Sequence, residues 1–409
     1  MSTSVLALNT GSSSLKFSCY TFTTDFPGGS LLYSGSLSRI GQQNGKFQVS
    51  DGQGSQLLPP QTLPLADINA ACNQMFDWIK AQPTSYFPSC IGHRIVHGGP
   101  HFSNPHLINA SLIETLEGLS VYAPEHLPPA LKAITFAQQL FPSIPHVACF
   151  DTAFHASMPA VAKTYAVPET YRSHGLQKYG FHGLSYQYLM SVLEKESQEQ
   201  SVSPSLNTVI PSKQRILLAH LGHGASMAAV KHGHCIETTM GFSPTGGFPM
   251  SSRSGDLDPE VVLFMLQHEG VPILDMKDTL NKRSGLVAFT SKGDDMRDLL
   301  TAEAAGDEEA HFAADYFVYH IVKHIGSLVA CLGGLDVLVF SAGIGERSSP
   351  IRKRICEKLH YLGCEIDDLA NEANLTVIST PTSSIVVRVI PTNEEIVIAR
   401  LSLDLTHSH

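Results

Sequence analysis

Two stretches of this chain, roughly 200 residues apart, repeat one pattern. In the first, the apolar runs Val5–Leu8 and Phe17–Tyr20 flank Asn9-Thr10-Gly11-Ser12-Ser13-Ser14-Leu15-Lys16. In the second, Ile216–Leu218 and Met227–Val230 flank a turn holding Gly222, Gly224 and Ser226. Each reads as a strand, a tight Gly/Ser turn and a returning strand. Glycines at such a turn let backbone N–H groups converge on one spot, which suits a phosphate. A single hairpin of this kind is an ordinary soluble tip. Two of them predict an internally duplicated fold, each half presenting one phosphate-facing turn. Arg253 then arrives in the polar loop Ser252-Arg253-Ser254-Gly255-Asp256. A phosphate cradle followed by a loop arginine points to phosphoryl transfer.

With 409 residues, 43% apolar and 16% charged, the chain is globular, and two domains are expected. A formal charge of −10 argues against a nucleic-acid or anionic-membrane surface. Anions must then be bound by local Arg, Lys and helix N-termini. The start, MSTSVLALNTG, lacks a basic region, so no secretion signal is expected. Ile325 to Phe340 is broken by Gly333, Gly334 and Asp336, so no membrane span is expected either. Eight cysteines without a C-x-x-C pair fit reduced, mostly buried thiols in the cytoplasm.

Along the chain, Gln42 to Pro60 is polar and Gly/Gln-rich and is expected as a surface excursion. Ala66 to Lys80 reads as a helix with Ala70, Met75, Phe76 and Ile79 on its apolar side. Arg94 lies inside the apolar strand that ends at Gly98-Gly99. An unpaired charge there is costly, so either a carboxylate neutralises it or a ligand anion does. Val121 to Pro129 is expected as a proline-stiffened loop. The strand Val147–Phe150 leads into Asp151, which is either a helix N-cap or a carboxylate placed for chemistry at the strand's end. His182 stands in the glycine-flanked Tyr179-Gly180-Phe181-His182-Gly183.

Glu194 to Gln214 reads as an exposed insertion. Asp258 caps a helix with Pro259 at its first position, and Ser291–Asp298 turns into another. His311 to Leu332 is a helix closed by Gly333-Gly334, with Phe312, Phe317, Ile321, Ile325 and Leu328 on one face. Asp336–Phe340 is a buried strand that runs into a glycine loop, Ser341 to Arg347. The last strand, Ser384–Ile390, precedes a short final helix. No Walker A motif, complete dinucleotide fingerprint or G-x-S-x-G elbow is present.

Taken together these stretches resemble the acetate kinase family. The segments LNTGSSSLKF, GHRIVHGG, FDTAFH, YGFHG, HLGHGASMAAV, MGFSPTGG, RSGDLDP, SGLVAF, DMRD, VFSAGIGE and IPTNEE follow the family's order over nearly the whole chain. The resemblance implies an α/β fold of two actin-like (ribonuclease H-like) domains, mixed sheets flanked by helices, with the active site in the cleft between them. Residues 1–150 with 386–409 would form the first domain and 151–385 the second, nucleotide-binding one. A homodimer is implied. So is reversible phosphoryl transfer from ATP to acetate, giving ADP and acetyl phosphate with Mg2+ or, in its place, Mn2+.

By position, the resemblance implies that Arg94 and Arg253 clamp the acetate carboxylate and the transferring phosphoryl. Asp151 would orient acetate and help hold the metal with Asn9 and Glu394, and His182 would hydrogen-bond the phosphoryl. Asn9, Lys16, His220, Gly222, His223 and Gly224 would face phosphates. Asp295, Met296, Arg297, Gly343, Ile344, Gly345, Glu346 and Arg347 would hold adenosine. Val96, Phe181 and Pro244 would line the methyl pocket together with position 125.

Three residues depart from the family's pattern. Glu125 stands in APEHLPP where an apolar residue is usual: it turns away, is protonated, or signals a different acyl group such as propionate. His223 replaces asparagine and keeps one hydrogen-bond donor. Arg347 replaces asparagine after GIGE, either stacking on the base or weakening preference for adenine over guanine. From another class, a non-catalytic nucleotide switch would not need the second-substrate clamp.

Overall fold

The computed structural model describes residues 2–11, 13–24, 28–83, 86–199 and 209–407. The chain divides into two compact units, Met1–Ala153 with Asn393–His409, and Phe154–Thr392. In the first unit, β1 (Thr3–Thr10), β2 (Ser14–Phe22), β3 (Ser30–Ser38), β4 (Gln42–Asp51) and β5 (Gln56–Leu65) form an antiparallel meander. The sheet continues through β6 (Cys90–Ile95), β7 (His106–Leu107) and β8 (His146–Phe150) in the order β5-β4-β3-β2-β1-β6-β8-β7. Strand β6 runs parallel to β1, and β8 runs parallel to β6. Alternating residues explain the layering: Leu15, Phe17, Tyr33, Leu37, Phe47 and Val49 face a core shared with Met75, Phe76 and Ile79 of the helix Ile68–Lys80. The C-terminal helix Glu394–His407 packs on β1, β2, β6 and β8.

The second unit holds β9 (Arg215–Leu221), β10 (Ala225–Lys231), β11 (His234–Thr238), β12 (Val337–Ser341) and β13 (Val386–Val389), in the order β11-β10-β9-β12-β13. Tyr186, Leu189 and Leu193 of the helix Gly183–Glu199 pack against Ile216, Leu218, Val337 and Val339 of this sheet. The helix Glu308–Leu332 packs on β9, β10 and β11. Asp307 caps its start, and Gly333, at φ 75°, closes it in the left-handed region that a side chain would strain. The duplication read from the hairpins extends to whole sheets. Strands β3-β2-β1-β6-β8 have the same order and the same antiparallel and parallel senses as β11-β10-β9-β12-β13. Both units are α/β, with mixed sheets and helices packed on them.

Several local expectations change. Gln42 to Pro60 is not a loose excursion: it lies in β4 and β5, where Phe47 and Val49 face the core and the polar residues face outward. Val121 to Pro129 is not all loop, since Pro128 and Pro129 sit in the first turn of the helix Leu127–Leu140, where a missing N–H costs nothing. Glu194–Glu199 extends the helix begun at Gly183; residues 200–208 of the expected insertion lie outside the described residues, as does Ser12 of the first turn.

Ser341 to Arg347 is mostly a short helix, Ala342–Arg347, entered through Ala342 at φ 63°. The final helix has 14 residues and is not short. Ala70 is only half-buried, its place in the core taken by Ala71 and Cys72, and Phe312 is exposed. Residues 386–392, expected with the first unit, fall in the second because Val386–Val389 pairs with β12; residues 151–153 fall in the first.

Candidate active site

In the first unit β1, β6, β8 and the C-terminal helix bring four expected residues together. Arg94, near the end of β6, donates from Nε and Nη2 to Asp151 Oδ2 at 3.0 and 2.5 Å. Its Nη1 donates to Asn9 Oδ1 at 2.9 Å. Asn9 in turn donates from Nδ2 to Glu394 Oε2 and Glu395 Oε1, both at 3.0 Å. Asp151 is fully buried. Burial works against the Arg94 charge, but Asp151 and then Glu394 outweigh it and raise the guanidinium above its ordinary pKa.

Arg94 is therefore neutralised by a carboxylate. Asp151 itself follows β8 as part of this cluster. Lys16 stands on β2 opposite Asn9 and is exposed. Val96 is buried and Glu125 half-buried in the same unit.

In the second unit the residues converge on the tip between β9 and β10. A Cβ added at Gly224 would lie 3.4 Å from Arg253 Nη1 and 3.5 Å from His182 Nε2, so glycine lets both approach the turn. His182 sits at φ 58°, a region that costs a side chain energy and recurs at functional sites. Its Nδ1 is 2.8 Å from Ser226 Oγ, which Tyr186 Oη contacts as well. This leaves Nε2 directed at Gly224. The His182 ring stacks on that of His220 at 4.1 Å, and His220 Nδ1 is 2.8 Å from Ser185 Oγ. Arg253 Nη1 donates to the Pro244 carbonyl at 3.0 Å. Phe181 is buried, and its carbonyl accepts from His155 Nε2 at 2.9 Å.

Beside this tip is a pocket of about 410 Å3, lined among others by Gly222, His223, Asp295, Met296, Arg297, Gly343, Ile344 and Arg347. Asp295 caps the helix Met296–Ala304 and pairs with Arg297, which holds its carboxyl down at about 2. Gly345 and Glu346 do not line the pocket. Gly345 is buried against Phe340, and Glu346 Oε1 accepts from the backbone N–H groups of Ala342 and Thr392.

Sequence reasoning missed Ser251, Asp294, Leu300, Ser348 and Pro350 of this lining, and the supporting Ser226, Tyr186, Ser185 and Glu395. The tandem acids Asp294-Asp295 and Glu394-Glu395 were a visible signal for two of them.

The first unit's donors are hard oxygens: Asn9 Oδ1, Asp151 and Glu394 around one guanidinium, a set whose net charge is negative. Among the described residues no three His, Cys, Asp or Glu side chains group into a complete metal site. Such a set fits Mg2+, which takes one or two carboxylates and fills its remaining positions with water and substrate phosphates.

Residues 4–400 match the model of the acetokinase family. The chain is 40% identical over 407 residues to the acetate kinase of Nitrobacter hamburgensis, covering 98% of this chain and 96% of that one. It is 39% identical over 403 residues to the acetate kinase of Rhodopseudomonas palustris, covering 98% of each. Among solved structures it is similar to a propionate kinase from Francisella tularensis, with TM-score 0.87 and 34% identity over 98% of this chain and 99% of that one. It is also similar to the acetate kinase of Porphyromonas gingivalis, with TM-score 0.83 and 32% identity over 99% of this chain and all of that one. No helix among the described residues is long and apolar enough to cross a membrane. With its whole length matched in sequence and in fold, the chain belongs to the acetokinase family.

Proposed function

We propose that this protein is an acetate kinase, transferring a phosphoryl group reversibly between ATP and acetate. The observation that carries the reading is the approach of His182 Nε2 and Arg253 Nη1 to one glycine at the β9–β10 tip, beside a pocket. An acetate oxygen attacks the terminal phosphorus, and the bond to the leaving oxygen of ADP breaks with its electron pair. No general base is needed, because a carboxylic acid is ionised at neutral pH. The difficulty is the repulsion between two anions, so fixed positive groups supply the catalysis.

Arg253 and the His182 N–H stabilise the equatorial oxygens of the transferring phosphoryl, while Arg94, oriented by Asp151, holds the acetate carboxylate. Lys16, Asn9, His220 and the Gly222–Gly224 turn face phosphates, and Asp295–Arg297 with Gly343, Ile344 and Arg347 border the adenosine. Val96, Phe181 and Pro244 are each assigned to the acetate methyl group. Mg2+, with Mn2+ as a substitute, would be held by Asp151, Glu394 and Asn9, and would there neutralise phosphate charge.

A second reading, a propionate kinase, draws on Glu125 and on the similarity to the Francisella protein. Trapping acyl phosphate with hydroxylamine in the presence of ATP and acetate, propionate or butyrate separates the readings. Acetate should give the highest kcat/KM. A preference for propionate would transfer the assignment to the second reading, and no product from any acid would leave a nucleotide-binding switch.

We infer a homodimer as well. The helix Pro259–Gln267 buries none of its residues and exposes Val261, Leu263 and Phe264, an apolar face of the kind that marks an interface. Light scattering should give twice the 44.2 kDa chain mass, and Phe264→Asp should reduce it to one chain. All eight cysteines are free thiols, in keeping with a reducing, cytoplasmic compartment.

A further inference from the structure

Two arginines of this chain have less than a tenth of their surface exposed, and they are treated differently. Arg388, 4% exposed, pairs with Glu196 Oε2 at 2.5 Å. Arg352, with no exposure at all, has no carboxylate within 4 Å among the described residues. Its charge is met by neutral oxygens only. Nε donates to Asn371 Oδ1 at 2.8 Å and Nη1 to the Gly345 carbonyl at 3.0 Å. Nη2 donates to the Asn371 carbonyl at 2.6 Å and to Asn374 Oδ1 at 2.7 Å.

An ionised group buried without a counter-ion is among the costliest features a fold can retain. A neutral side chain of similar reach would make part of these hydrogen bonds at far lower cost. The charge must therefore do something that hydrogen bonds do not.

Its position says what. Arg352 lies on the helix Ser349–Glu357. Ser348 and Pro350, at the start of that helix, line the pocket described above, as do Gly343, Ile344 and Arg347 of the short helix whose Gly345 carbonyl Arg352 holds. The guanidinium is thus one layer behind the pocket wall. The wall also carries Asp294 and Asp295 against Arg297 and Arg347, and the whole chain has a formal charge of −10. A polyphosphate carrying several negative charges would meet a wall with no formal surplus of positive charge, so a further cation behind it would favour binding. A positive charge set in a low-dielectric interior is weakly screened by salt and acts on that field over the distance of a few side chains.

We propose that Arg352 is a positioning residue of the nucleotide pocket whose uncompensated buried charge raises affinity for phosphorylated nucleotides over the bare nucleoside. The proposal rests on the nucleotide reading of the pocket. Its sharpest test leaves Arg352 in place and supplies the missing counter-ion. Asn374 accepts from Nη2 and stands at φ 52°, a conformation that aspartate also tolerates. Asn374→Asp therefore keeps the shape and the hydrogen bond while neutralising the charge.

Calorimetric Kd values for ADP, ATP and adenosine would be measured on the full chain as wild type, Asn374→Asp, Arg352→Lys and Arg352→Gln. Asn374→Asp and Arg352→Gln should weaken ADP and ATP about tenfold and adenosine less than about threefold, as loss of one nearby charge implies. Arg352→Lys should stay within about threefold of wild type for all three ligands. Equal weakening of adenosine and ADP would reduce Arg352 to a structural staple and overturn the proposal. So would nucleotide binding unchanged in Asn374→Asp, which is readable even if Arg352→Gln does not fold. A wild-type protein that bound neither nucleotide would sink the functional reading together with this one, a result distinct from the others.

Discussion

The two sheets share a five-strand skeleton, yet the groups at their functional ends are held in different ways. In the first unit Arg94 is fixed by charge, against a fully buried Asp151 and with Glu394 at 3.8 Å. In the second, the contacts of His182 and Arg253 include a serine hydroxyl, a stacked histidine and a backbone carbonyl. A repeated backbone sets where a side chain can stand. What holds the side chain there decides whether its removal costs stability as well as activity.

The largest expected effect follows from that difference. Arg94→Ala strands the buried Asp151 carboxylate and should cost about 3–5 kcal/mol of folding stability by urea titration, besides abolishing measurable turnover. Arg253→Ala removes a half-buried group whose contacts include the Pro244 carbonyl and Met250 Sδ. It should lower kcat by about 100-fold or more and cost less stability than Arg94→Ala, since it strands no fully buried carboxylate of its own unit. If the two variants lost equal stability, charge pairing would not distinguish the units. A near-normal kcat in Arg253→Ala would remove that residue from the mechanism.

Acid provides a finer cut. In the second unit His155 is buried, donates from Nε2 to the Phe181 carbonyl and has its Nδ1 3.3 Å from Cys235 Sγ. Burial pushes its pKa down to about 4. Above the ordinary imidazole value neither folded nor unfolded chain binds this proton, and the stabilisation is complete. Between about 6.5 and 4 the unfolded chain binds it and the folded one does not, so stability falls by about 1.4 kcal/mol per pH unit. Below that window both bind it and the loss stops.

In the first unit the buried His93 and His146, 3.0 Å apart, are likewise pushed down by burial, and for His93 by its neighbour as well. Their protons are fixed by the Phe141 carbonyl, which accepts from His146 Nε2, so His146 Nδ1 accepts from His93. Stability measured from pH 7 to 4.5 should therefore decline. His155→Gln, which can still donate to Phe181, should shallow the slope by one proton's worth. An unchanged slope would mean that His155 does not carry the second unit's acid sensitivity.

How much of this was legible depended on how local the cause was. Asp258-Pro259 and Gly333 mark helix ends through contacts within one turn, and they stand where the sequence pattern put them. The hairpin tips were legible for the same reason. Strands β4 and β5 were not, because an antiparallel edge with one solvated face has a loop's composition and only Phe47 and Val49 betray the alternation. The turn after β12 was misread because the positive φ of Ala342, a residue that gives no warning of it, redirects the chain into a helix. The contacts of Ser226 and Glu395 were not legible since their partners, His182 and Asn9, are distant in sequence. The residues proposed for chemistry could be named from sequence, but several that hold them in place could not.

The smallest expected effect tests whether the second tip is tuned by charge after all. His223 is mostly exposed, and its Nδ1 lies 3.3 Å from Asp294 Oδ2. Exposed pairs of this kind contribute about 0.2–1 kcal/mol. Asparagine would keep a donor at the same place on the turn. His223→Asn should therefore change the Kd for ADP by less than about threefold, the range that such an energy permits. A loss beyond about tenfold would mean that the imidazole carries charge to the nucleotide itself. The second unit would then hold one group by charge as the first holds Arg94, and the contrast between the two sheets would shrink to the identity of the ion.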